Sequence, residues 1–148
     1  MIFKPNHPLL TVWIPIKFLN LMAVHIWLRW LLHTEPLPIR LVEQIEQADI
    51  VTVSAISCWE VVMLERKQRI KLPLPVEQWL KEATTGSGVE VLPITCDISC
   101  LAGTLPEHHK DPADRIIIAT ALCHNLKLMS LDSVFPDYQE LAERLIVK

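Results

Sequence analysis

Short runs rich in β-branched and other apolar residues alternate with longer helix-patterned segments, and no other feature of the chain restricts its fold as much. Four runs have the density of buried strands: residues 16–22 (IKFLNLM), 49–56 (DIVTVSAI), 89–94 (VEVLPI) and 126–132 (LKLMSLD). Helical spacing fills the intervals. Residues 25–32 place Ile26, Trp27, Trp30 and Leu31 on one face, and a second helix starts near Pro38 with Ile39, Val42, Ile45 and Ala48 in period. Residues 57–68 open on Ser57 with Glu60 three positions on, the spacing of a capping box. Further helices follow Pro75 and Thr95. The best marked spans 111–125, with Asp111 as N-cap, Pro112 at the first position and Asn125 near the end. Parallel strands need crossover helices, so the alternation predicts an α/β fold around a buried, largely parallel sheet. Residues 1–15, interrupted by prolines, read as an irregular extension ahead of a domain covering 16–148.

The apolar stretch from Thr11 to Leu32 has the nominal length of a membrane span. Lys17, Asn20, His25 and Arg29 interrupt it and Pro15 divides it. Each cation costs about 2.5–3.5 kcal/mol near a bilayer centre, so the stretch reads as a strand followed by a helix of a protein with no membrane role. Cys58, Cys96, Cys100 and Cys123 lie among apolar residues with no Cys-x-x-Cys pair and no nearby His to complete a zinc set. They read as reduced core thiols, which suits a cytoplasmic protein.

The net charge of −3 excludes nucleic-acid binding by overall charge alone. A local patch exists at Arg66–Lys71, RKQRIK, which reads either as a solvated helix end or as a phosphate-binding surface. Acidic residues fall where ligands gather in open α/β sheets, beyond the carboxyl ends of the strands. Glu60 lies in the first turn of the helix after the second predicted strand, Asp111 and Asp114 flank the start of the 111–125 helix, and Asp132 follows the fourth strand. Carboxylates brought together repel unless a cation neutralises them, and hard oxygen ligands suit Mg2+ or Mn2+. Taken singly, each acid also has an ordinary role: capping-box partner, N-cap, first-turn acid, turn former.

The segments HIWLRWLL, VSAISCWEVVML, LPLPVEQWL, HKDPADRIIIATAL and LKLMSLD, in that order, resemble PIN-domain proteins, specifically the VapC-type toxins of bacterial toxin–antitoxin pairs. The resemblance covers about residues 16–138. It implies a three-layer α/β/α fold, Mg2+-dependent ribonuclease activity on an RNA substrate, a small cognate antitoxin and a homodimer. It matches the family's acids to Glu60, Asp114 and Asp132, with Asp111 in a supporting place, and Ser130 stands where the family often has Thr. One match fails. The family's first strand ends in a motif like Leu-Asp-Thr-His, and here the aligned residues are Met22, Ala23, Val24 and His25. A metal-binding carboxylate is replaced by a methyl group, which sets an active nuclease of lowered metal affinity and rate against a catalytically weak or inactive module that keeps the fold and binds antitoxin or RNA. Arg66, Lys67 and Arg115 are the candidates for holding RNA phosphates.

Overall fold

The computed structural model describes residues 19–147. The proposed extension 1–15, and residues 16–18 of the first predicted strand, lie outside the described residues. Five strands form one sheet: β1 (Leu19–Met22), β2 (Ile50–Ser54), β3 (Val89–Leu92), β4 (Lys127–Met129) and β5 (Leu145–Ile146). Every neighbouring pair is parallel and the order is β3-β2-β1-β4-β5. The largely parallel α/β reading therefore holds. Six helices make the crossovers: α1 (Val24–Leu32), α2 (Ile39–Gln47), α3 (Ala55–Arg66), α4 (Val76–Ala83), α5 (Cys96–Thr104) and α6 (Pro112–His124).

The strands are buried on both faces, and the two-residue period of a strand divides their side chains between two cores. Leu21 and Leu128 join a cluster with Ile98, Ala102, Ile117, Ile118 and Tyr138, from α5, α6 and the C-terminal turns. Their neighbours Met22 and Met129 join the opposite cluster with Trp27, Leu41, Ile45, Val61 and Trp79, from α1–α4. This is the three-layer α/β/α arrangement. Trp27 is fully buried, its indole Nε1–H donates to the Ala83 carbonyl at 3.1 Å, and its ring lies 5.6 Å from that of Trp79. No helix among the described residues is long and apolar enough to cross a membrane.

Three expectations need correction. The cap of α3 is Ser54, whose hydroxyl accepts from the Ile56 N–H at 3.2 Å. Ser57 is therefore buried inside the helix and Glu60 falls in its second turn rather than in a capping box. Ser54 ends β2 and caps α3 at once, which shortens the predicted strand by two residues. β5 had no counterpart among the predicted strands; it is a two-residue edge strand, too short to carry a pattern. The cysteines are free thiols, but Cys96, Cys100 and Cys123 are exposed and Cys58 is only partly buried. Their apolar sequence neighbours turn inward from α5 and α6 while the thiols take the outer faces.

Candidate active site

β1 is paired with β2 on one side and β4 on the other, and the loops leaving β1 and β4 open side by side. Such a central position at the carboxyl ends of parallel strands is where ligands gather. A cleft of about 250 Å³ lies there, lined by Ala23 and Val24 after β1, Glu60 of α3, Asp111 and Asp114 of α6, and Ser130 and Asp132 after β4. The fold thus brings all four predicted acids to one place from three parts of the chain: α3, the start of α6 and the turn after β4. Arg29 and Phe135 complete the wall, with Arg29 held by Glu35 at 2.6 Å.

Each acid is placed by local backbone chemistry. Asp111 caps α6, its Oδ1 accepting from the Ala113 N–H at 2.9 Å, with Pro112 in the first turn. Asp114 follows in that turn, where the helix dipole favours a carboxylate. Asp132 is fixed in a tight turn: its N–H donates to Ser130 Oγ at 3.0 Å, and its Oδ1 accepts from the Val134 N–H at 2.7 Å. The hydroxyl of Ser130 thereby sets the angle at which the aspartate enters the cleft.

A residue not singled out in the sequence stands between two of the acids. His109 Nε2 lies 2.9 Å from Asp114 Oδ2 and 3.0 Å from Asp132 Oδ2. Its Nδ1 lies 3.3 Å from the Asp111 backbone nitrogen, which leaves Nε2 to face both carboxylates. The backbone N–H of His109 donates to the Tyr138 hydroxyl at 2.9 Å, and its ring meets Phe135 edge-on at 5.8 Å. The available signal was a histidine two residues before the N-cap of α6.

The electrostatics are those of a site short of positive charge. Burial, then repulsion from Asp114 and Asp111, raises Glu60 from 4.5 to about 8. Burial and repulsion from Asp111 and Asp132 raise Asp114 from 3.8 to about 6, against a lowering influence from His109. Glu60 Oε1 is buried with no hydrogen-bond partner among the described residues. An orphaned carboxylate oxygen beside two further acids fits a hard divalent cation. The ligand atoms of His109, Asp114 and Asp132 lie within 4.8 Å of one another. Ala23, 8% exposed, adds only a methyl group at the end of β1, and as the N-cap of α1 it makes no side-chain cap.

The three basic candidates separate. Lys67 borders a second groove that adjoins the acidic cleft and shares Val24, His25, Glu60 and Asp111 with it; Arg66 lines neither. Arg115 is spent on structure. Its guanidinium donates to the carbonyls of Ala102 (3.0 Å), Leu105 (2.7 Å), Pro106 (3.0 Å) and His109 (3.1 Å). Four of its five N–H donors clamp the loop that carries His109, which leaves one free for any other partner.

Comparison with known proteins bears on the family and the fold. A family model of the PIN domain matches residues 24–141. Ribonuclease VapC22 of Mycobacterium tuberculosis is 34% identical over 113 residues, covering 76% of this chain and 85% of that protein. In fold, the chain is similar to a toxin–antitoxin complex from Klebsiella pneumoniae, with TM-score 0.59 and 21% identity, covering 86% of this chain and 95% of that one. It is similar as well to VapBC2 from Rickettsia felis bound to a promoter DNA fragment, with TM-score 0.61 and 16% identity over 88% and 98% of the two chains.

Proposed function

The chain belongs to the PIN-domain family, in its VapC-type branch, and we propose that it is a divalent-metal-dependent endoribonuclease, the toxin of a toxin–antitoxin pair. The observation that carries the reading is the convergence of Glu60, Asp114 and Asp132 on one cleft, with Glu60 Oε1 left unpartnered. Asp114, Asp132 and Glu60 would hold Mg2+ or Mn2+, with Asp111 at the rim. When bound, such an ion supplies charge neutralisation at the phosphate and a water activated for hydrolysis. The protein's own residues do the rest. His109 orients the two aspartates through Nε2–H, Glu60 holds a proton on its partly buried carboxyl in the metal-free cleft, and the wall of Ala23 and Val24 keeps bulk water from one side. A cytoplasmic location, a small antitoxin and a homodimer belong to the same reading, which the likeness to VapC22 and to toxin–antitoxin complexes supports.

Ala23 favours a second reading, a weakly active or inactive member that keeps the fold as a binding module. One experiment separates the two: cleavage of a structured RNA in Mg2+ or Mn2+ by the natural chain and by Ala23→Asp. Cleavage by both, faster and at lower metal concentration in the variant, supports the nuclease. Cleavage by the variant alone establishes the binding module, and cleavage by neither removes the nuclease reading.

A further inference from the structure

We propose that the groove beside the acidic cleft holds an unpaired nucleotide of the RNA, its base stacked on Trp59 and the adjoining backbone phosphates held by Lys67 and Arg69. The proposal rests on the ribonuclease reading and adds to it a base-stacking subsite outside the acidic cleft. The groove has a volume of about 300 Å³ and runs from the shared residues His25 and Glu60 past Trp59 and Met63 to the two cations.

Three observations point to this occupant. First, Trp59 is 56% exposed, while Trp27 and Trp79 are buried in the core. A large ring kept in solvent at a groove wall, one residue before a cleft acid, offers a stacking face. Second, the helix lays the groove out in order. Glu60, Met63 and Lys67 recur at spacings of three and four on α3 and its C-cap, so they share one face. Seven residues of helix place Lys67 about 10 Å from Glu60, a reach that neighbouring nucleotides of one strand can span. Third, the charge changes sign along the groove. The acidic end is where a cation-assisted cut would occur, and Lys67 and Arg69, exposed on the turn after α3, sit where the strand would leave it. An RNA strand suits both ends: its phosphates would meet the cations, and a cation held by the acids would offset the like charge at the other end. Stacking on Trp59 requires a base free of its partner, so a duplex cannot use the site.

The test is equilibrium binding of a fluorescein-labelled single-stranded RNA octamer, and of the same octamer annealed to its complement, without added metal so that no cleavage intervenes. Trp59→Ala is expected to weaken single-strand binding roughly 5- to 150-fold, the range of one base–aromatic stack, and to leave duplex binding unchanged, while Trp59→Phe retains most of the affinity. Lys67→Ala with Arg69→Ala is expected to flatten the dependence of log affinity on log salt by about 1.4, two phosphates at about 0.7 each. Circular dichroism confirms that each variant is folded. If the natural chain binds the octamer and Trp59→Ala does so equally, the inference falls while the ribonuclease reading stands. A changed oligomeric state of Trp59→Ala with unchanged RNA affinity would assign the ring to a protein interface and overturn the inference. If neither the natural chain nor Ala23→Asp binds or cleaves RNA, both fall together.

Discussion

Replacing Glu60 by Gln should stabilise the metal-free protein, and by an amount that grows with pH. Its carboxyl is raised from 4.5 to about 8 by burial and by Asp114 and Asp111. A folded state that holds a proton more tightly than the unfolded chain loses stability as pH rises between those two values. Fully charged above pH 8, the group would cost roughly 5 kcal/mol at about 1.4 kcal/mol per tenfold difference. Glu60 is only partly buried, so solvent screening reduces this to about 2 kcal/mol. Gln keeps the shape, carries no charge and gives Asp111 and Asp114 a donor to face. Urea unfolding in a chelating buffer at pH 5 and pH 8.5 measures the effect. The natural chain should lose about 2 kcal/mol more than Glu60→Gln between these pH values, and saturating Mn2+ should stabilise the natural chain more than the variant, which keeps Asp114 and Asp132 but lacks the third carboxylate. Parallel pH profiles for the two proteins would refute the argument, because they would show that Glu60 is charged at no cost in the folded state.

Two further outcomes follow from the same cleft. His109→Ala removes the donor between Asp114 and Asp132, so Asp114 should titrate above its present value of about 6, as followed by carboxyl carbon NMR; an unchanged or lower value would contradict the role given to His109. Arg115→Lys loses the planar fork that holds four carbonyls and should cost about 2 kcal/mol in thermal unfolding. Its affinity for RNA in the folded state should stay within twofold of the natural chain, and a large drop there would return Arg115 to the RNA surface.

Much of the cleft was legible because its acids sit at element boundaries, where punctuation is strongest. Asp-Pro at the start of α6 and Asn125 at its end, with φ of 54°, are signals that act within a few residues, and they placed Asp111 and Asp114 correctly. Ser54 and Ser57 are both competent caps. The spacing of Ser57 to Glu60 favoured the wrong one, since the burial of Glu60 in a cleft is a tertiary fact that no local pattern carries. The clamp made by Arg115 was hidden for the same reason. Its partners are carbonyls exposed by the turn between α5 and α6, and backbone carbonyls have no sequence signature. His109 was hidden because its value depends on Asp132, 23 residues away.

The grip of Arg115 on residues 102–109 has a consequence for how chains of this kind vary in length. Asp114 and Arg115 are successive residues of one helix, yet the first reaches into the cleft and the second holds the loop behind it. A residue inserted between Leu105 and His109 would force a choice: keep the carbonyls in the fork and swing the imidazole out, or keep the imidazole and empty the fork. That stretch behaves as a ruler of fixed length. Insertions that spare the cleft belong instead in the connection between α4 and β3, where Thr85, Gly86 and Ser87 are exposed and none of residues 84–88 lines the cleft.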